Sequence, residues 1–241
     1  MGLLFLCHTS LNFFKFFMMR TSNSFNRMLT GFILLITAMV AIRIIVYGNI
    51  RYLSILWNLF LAWIPFAIGF YFKELPIKNK VQQLIVFFSW LIFFPNALYL
   101  VTDLIHLNQG SVVVPVWFDA ALLFSAAFVG LLMAFVSLAR AENYLLYHYS
   151  RKIVRNILIP LLLFVSSFGV YLGRFERWNS WDIITNPFAL SADILHFVCK
   201  PVTNYKVWII TSIFSLLYGF FYFSLRILPL LFYEMRLPHK K

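Results

Sequence analysis

Between residues 29 and 228 the apolar positions gather into six long blocks, 29–47, 52–72, 81–102, 116–138, 156–173 and 207–228. A helix needs about 20 largely apolar residues to cross the hydrocarbon of a bilayer. Each block comes close to that length or exceeds it, and none carries a charge near its midpoint. The pattern predicts an all-α fold, a polytopic membrane helix bundle with six transmembrane helices. Arg43 and Arg226 fall near block ends. A long side chain there can reach the headgroup layer, so both are expected to snorkel.

The segments between the blocks set the expected topology. Lys and Arg accumulate in the cytoplasmic connections of membrane proteins. On alternating sides the connections and tails hold 13 and 5 basic residues, which predicts that both termini are cytoplasmic. The sequence then divides into an N-terminal cytoplasmic or interfacial segment, 1–28, a membrane domain, 29–228, and a basic cytoplasmic tail, 229–241. Residues 1–19 are apolar but broken by His8, Asn12 and Lys15. No basic region precedes them and no small-residue cleavage site follows, so they do not read as a signal peptide. They are either an interfacial helix or an extension upstream of a start at Met18, Met19 or Met28. The long connection 174–206 holds one further helical segment, Pro187 to Val198, with Pro187 suited to an early position. Leu190, Ile194 and Phe197 share its apolar face, and Asp193 and His196 lie off it.

Composition agrees with the block pattern and removes alternatives. The chain is 62% hydrophobic and 12% charged, with 29 Phe among 241 residues. Soluble domains carry about 25% charged residues. The net charge of +12 does not point to nucleic acid, because the basic residues sit in short clusters between apolar blocks rather than in one stripe. The expected partners are the lipid bilayer, with anionic headgroups or other membrane proteins beside it. The two cysteines, Cys7 and Cys199, fall on opposite sides of the predicted topology and make no disulfide framework. No phosphate-binding loop, nucleophile elbow or zinc signature is present, and no cofactor is expected.

What distinguishes this chain is where its polar residues fall. In FFPNALYLVTDLIHL (93–107), Asn96, Tyr99, Asp103 and His106 are spaced three, four and three apart, so an α-helix places them on one face. Pro95 is expected to loosen that helix and free carbonyls that need other partners. Asp119 opens the fourth block, Arg174, Arg177 and Asp182 follow the fifth, and Asn58 lies early in the second. Under the predicted topology all of these lie toward the outer face. Ionisable groups at membrane depth often mark a substrate or ion path. Asp103, His106 and Asp119 are the candidate catalytic groups, with Asp103 and His106 placed to act as an acid–base pair. Asn58, Asn96, Tyr99, Arg174, Arg177 and Asp182 are the candidate substrate-binding groups, the arginines as anchors for phosphate or carboxylate. Two ligands at helical spacing do not specify a metal site. The alternative is structural: the aspartates pair with Arg174 and Arg177, and the asparagines join helices by hydrogen bonds. Gly169 and Gly173, with Ser166 on the same face, read as a close-packing surface.

The segments FFPNALYLVTDLIHL at 93–107, PVWFD at 115–119, LGRFERWNSWDI at 172–183 and NLFLAWIPF at 58–66 resemble a bacterial family of uncharacterised membrane proteins, domain of unknown function 1361. The resemblance implies a multi-pass protein of the bacterial inner membrane. It supplies no catalytic residue. Three functions therefore stay open: an enzyme or binding site for a lipid-linked or anionic substrate at the outer face, a small transporter or permease component, and a structural assembly partner.

Overall fold

Each apolar block falls on helix, and three of the helices run well beyond their blocks. The structure, a computed structural model, describes residues 22–48, 50, 52–74, 80–109 and 114–236. Cys7, most of the N-terminal segment, Arg51 and the last residues of the basic tail lie outside the described residues. Among those described are α1 (Ser22–Tyr47), α2 (Leu53–Glu74), α3 (Lys80–Tyr99), α4 (Val116–His148), α5 (Ile159–Phe175), α6 (Pro187–Cys199) and α7 (Tyr205–Arg236). A 3₁₀ segment, Leu100–Gln109, extends α3, and a single turn, Arg151–Ile153, with a π-helical turn, Val154–Leu158, leads into α5. Among the described residues six spans are long and apolar enough to cross a membrane: Asn23–Tyr47, Leu53–Phe72, Lys80–Leu107, Val116–His148, Arg151–Phe175 and Tyr205–Leu228. This is an all-helical, multi-pass membrane protein.

The centre of the bundle is α4. Of its most apolar stretch 61% is buried, against 22–39% for the other spans. Its buried positions 119, 122, 126, 130, 133, 137, 141 and 145 recur every three or four residues, and many are Ala, Gly or Ser. Without a strong hydrophobic drive between helices in lipid, small residues that let backbones approach become the packing device. Gly130 shows it most sharply: a Cβ there would lie 2.7 Å from Leu100 Cδ1 and 2.8 Å from the Ala97 carbonyl oxygen. Around α4 pack α1, α2 and α3, while α7 lies on α5.

Where the chain carries proline inside a span, side chains cover the loosened backbone. Ser137 Oγ donates to the Pro65 carbonyl at 2.8 Å and accepts from Trp90 Nε1 at 2.6 Å. Arg140 donates to the Phe66 carbonyl at 3.2 Å, with its guanidinium 3.5 Å from the Phe70 ring centre.

Three expectations about charge are corrected. Arg43 does not snorkel: it is 1% exposed and holds Asp119, itself 2% exposed, through Nε at 2.8 Å and Nη2 at 3.0 Å. Asp119 sits in the first turn of α4, where the helix dipole favours an anion, and Arg43 supplies the partner that spares it from water. Nor is Arg226 a simple headgroup anchor, because its Nη1 lies 2.7 Å from both carboxylate oxygens of Glu142. Tyr222 donates to the same carboxylate, and Arg155 Nε stands 3.6 Å away. Arg155, expected to be only a topology signal, is thus drawn into a buried network joining α4, α7 and the π-helical turn.

Candidate functional site

At the end of the bundle that carries the long 176–204 connection, α3 winds tighter from Leu100 onward. In a 3₁₀ helix residues three apart lie directly above one another. Asp103 and His106 therefore form one column and Tyr99 and Thr102 the next. Thr102 Oγ1 donates back to the Tyr99 carbonyl at 2.6 Å, bracing the turn. A guanidinium approaching from α5 can reach both columns, and Arg174 does. Its Nε donates to Thr102 Oγ1 at 2.8 Å, its Nη1 meets His106 Nε2 at 3.2 Å and its Nη2 donates to Asp103 Oδ1. The guanidinium carbon lies 4.1 Å from the centre of the Tyr99 ring. Because Arg174 has donors only, His106 Nε2 is the acceptor in this contact. Asn58 of α2 donates from Nδ2 to Asp103 Oδ2 at 3.1 Å. The carboxylate is satisfied on both oxygens, and the cluster is nearly sealed, with Arg174 at 9% and Asp103 at 4% exposure.

Tyr52 ties this cluster to the Arg43–Asp119 pair. Its hydroxyl donates to the His106 carbonyl at 3.3 Å, and its ring lies 4.2 Å from the Arg43 guanidinium carbon. Asp119 is thus a neighbour of the Arg174 cluster and not a member. One nitrogen of Arg43, Nη1, is buried with no hydrogen bond to a described residue.

Beside the sealed cluster lies a cavity of about 170 Å³. Both α2 and α5 pack against α3 and make no comparable contact with each other, which leaves a cleft over α3. Two features keep it open. Gly169 and Gly173 present no side chain: a Cβ at Gly169 would meet Pro95 Cγ at 2.7 Å, whereas one at Gly173 would find the Tyr99 ring at an ordinary 3.5 Å. The second is Pro95. In the turn it loosens, the Phe93 carbonyl accepts from Asn96 Nδ2 at 3.1 Å and the Ile92 carbonyl from Ser180 Oγ at 3.2 Å. Asn96 Nδ2 also donates to Ser180 Oγ at 2.8 Å. The loop after α5 is thereby drawn over the cleft, and Trp178, Asn179 and Ser180 join Trp57, Asn58, Asn96 and Tyr99 in its wall. Among the described residues the hydroxyl of Tyr99 has no hydrogen-bond partner.

The two remaining candidates stand outside. Arg177 is exposed at a left-handed φ of 63°, where it turns the chain so that the Trp178 N–H bonds the Leu172 carbonyl at 3.1 Å. Asp182 closes a local turn, accepting from the Asn179 N–H at 2.7 Å and from Thr185 Oγ1 at 3.0 Å. The Asn179 backbone bond is the main reason that its carboxyl is held below its usual range. Among the described residues no group of three or more His, Cys, Asp or Glu is placed to hold a metal ion.

The sequence reading missed Thr102, Ser180, Trp57 and Arg43. Thr102 would have followed from a 3₁₀ continuation, since it lies three residues after Tyr99. Ser180 and Trp57 carry no sequence signal of their own.

These features define a multi-pass helical membrane protein with a sealed charge cluster and an adjoining polar cleft at one end. The family model described as "Protein of unknown function (DUF1361)" matches residues 57–222, more than half of the chain, and the chain belongs to that family. No curated protein and no solved structure matches it. The matched stretch spans α2 through most of α7 and so contains the cleft and the Arg174 cluster; α1 with Arg43 lies before it.

Proposed function

We propose that this protein binds a lipid-anchored ligand at the outer face of a bacterial inner membrane, with both termini in the cytoplasm. The cleft between α2 and α5 receives an uncharged headgroup. The observation that carries this reading is the division of labour at the long-loop end. The buried charged groups there are spent on one another, Arg174 on Asp103 and Arg43 on Asp119, while the cleft beside them is walled by neutral polar and aromatic side chains. Arg174 is committed to Asp103, Thr102 and His106, and Arg177 is exposed and does not line the cleft, so neither guanidinium is placed to anchor a phosphate or carboxylate there. A cavity of about 170 Å³ falls below the roughly 300–1,000 Å³ of sites for drug-sized ligands, and it suits one small headgroup rather than a whole molecule.

Entry from the lipid side is supported by the rim. Trp57 is 53% and Ile183 41% exposed, and Ile184 and Phe188 beside them are exposed more fully still. An apolar rim of this kind is stable against acyl chains and not against water. Gly173→Leu fills the cleft from a position where a Cβ makes ordinary 3.5 Å contacts with the Trp178 carbonyl oxygen and the Tyr99 ring. In nanodiscs this variant is expected to keep the wild-type melting temperature and lose co-purified lipid seen by native mass spectrometry. Retention of the same lipids by the filled variant would sink the proposal. The enzyme reading keeps no separate support, because His106 Nε2 and both oxygens of Asp103 are occupied. Transport is not favoured either, since the described half of the bundle beyond Asn96 is closed by Trp90 and Phe94, both fully buried.

A further inference from the structure

The hydrogen-bond inventory of the cleft reveals more about its ligand than its size does. Asn96 has spent both amide hydrogens, one on the Phe93 carbonyl and one on Ser180 Oγ, so its Oδ1 remains as a pure acceptor. Ser180 has given its proton to the Ile92 carbonyl and retains a lone pair. Asn58 points Nδ2 at Asp103, which turns its Oδ1 away from that carboxylate, and this oxygen takes no hydrogen bond from a described residue. The Tyr99 hydroxyl, the Trp57 indole N–H and one N–H each of Asn58 and Asn179 remain as donors, the other Asn179 N–H going to Asp182. A wall that both accepts and donates leaves groups of both kinds unsatisfied unless the ligand brings hydroxyls, which do both. A phosphate or an ester, whose oxygens only accept, meets the donors and leaves the acceptors bare. Trp57 and Trp178 on the same wall add aromatic surface, which suits a head that is apolar on one side and hydroxylated at its edge.

We propose that the headgroup bound in this cleft is a polyhydroxylated ring, a single sugar or cyclitol carried on a lipid. This rests on the lipid-pocket reading above and specifies its chemistry. The test loads the wild-type chain and the Gly173→Leu variant in phosphatidylcholine nanodiscs with one of four probes. These are a monoglucosyl diacylglycerol, the same lipid with its sugar hydroxyls methylated, diacylglycerol and phosphatidylglycerol. Retention after lipid exchange is read by native mass spectrometry.

The expected result is that the wild type retains the glucosyl lipid about tenfold or more over each of the other three, as losing one or more well-made hydrogen bonds implies. Gly173→Leu abolishes the preference. The methylated probe keeps the ring and its acceptor oxygens, loses the donors and adds a methyl group at each of them, so its loss supports the assignment together with the loss of diacylglycerol, which has no ring. Equal retention of all four probes, lost in Gly173→Leu, overturns the polyhydroxyl assignment while the lipid pocket stands. A preference for phosphatidylglycerol also overturns it. Retention of every probe unchanged in Gly173→Leu removes the pocket itself. Trp57→Ala, at an exposed rim position, supplies a variant that leaves the fold intact. It is expected to weaken retention of the glucosyl lipid about tenfold, the value of one aromatic contact; no weakening there counts against ring binding.

Discussion

At the scale of single residues the chain keeps its charges by pairing them. Arg174→Gln leaves the Asp103 carboxylate buried with Asn58 as its remaining partner, and breaking such a pair from one side costs roughly 3–5 kcal/mol. A lowered melting temperature in detergent checks this. Adding Asp103→Asn to the same variant is expected to restore much of the loss, since the uncompensated charge is then gone. A double variant no more stable than Arg174→Gln alone would mean that the cost lies in packing against Tyr99. Outside the spans, Asp182 offers a pH test. Its folded pKa is depressed, so its contribution is present above the unfolded carboxyl range and is lost only as pH falls through the lower folded value. Exchange of the Asn179 amide should stay slow down through the ordinary carboxylate range and accelerate below it, whereas in Asp182→Ala, which has no acceptor, it should be fast at every pH. Spacing alone revealed that Asp103 and His106 share a face. It could not reveal that Asp119 belongs to Arg43, because a pair 76 residues apart leaves no local trace and hydropathy treats a snorkelling arginine and a buried one alike.

At the scale of elements the boundaries were legible wherever a connection is polar, and they failed where a helix continues through charge. The block ending at 138 understated α4 by ten residues, since its last turns contain Arg140, Glu142 and Asn143. Those residues stay helical because their charges find partners on α2 and α7. The change from α to 3₁₀ at Leu100 was also not legible, although Pro95 announced a disturbance. Glycines divide the helix contacts into tolerant and intolerant ones. Gly130→Ala and Gly169→Ala drive a Cβ into the Ala97 carbonyl and the Pro95 ring, and each should cost about 1–3 kcal/mol of overpacking. Gly173→Ala meets only an ordinary contact and should be near neutral. Gly31, with nothing within 4 Å of a new Cβ, should gain about 0.5–1 kcal/mol as Ala from helix propensity. Melting temperatures of the four variants in one detergent test the order; a Gly130→Ala protein as stable as the wild type would show that α3 and α4 are not in the close contact described.

At the scale of the whole molecule the two ends differ in kind. One end holds the Glu142 network and the short turn between α4 and α5. The other holds the Arg174 cluster, the cleft and the apolar flank of α6. The sharing of basic residues between the connections, 13 against 5, predicts that the first end is cytoplasmic, and on the proposed topology the cleft faces outward. Cys199 makes the assignment testable. It is exposed at the end of α6, at the same end of the bundle as the cleft, and Cys7 is the other thiol in the chain. In a Cys7→Ser background a membrane-impermeant maleimide applied to intact spheroplasts should label Cys199 fully, and prior permeabilisation should add nothing. Labelling that appears only after permeabilisation would invert the topology and turn the cleft toward the cytoplasm. The lipid pocket could then survive, but its ligand would have to come from the inner leaflet. The same experiment bears on α6, whose inner face of Leu190, Ile194 and Phe197 packs on α5 and α7 while Phe188 and Leu195 point outward. A helix that exposes Phe188 and Leu195 as well as burying an apolar face is best stabilised at that end where lipid reaches it. Adding a brominated phospholipid should therefore quench Trp181, at the start of this flank, more strongly than the buried Trp90. Equal quenching of the two in single-tryptophan variants would place the flank in water and leave its apolar face without an explanation.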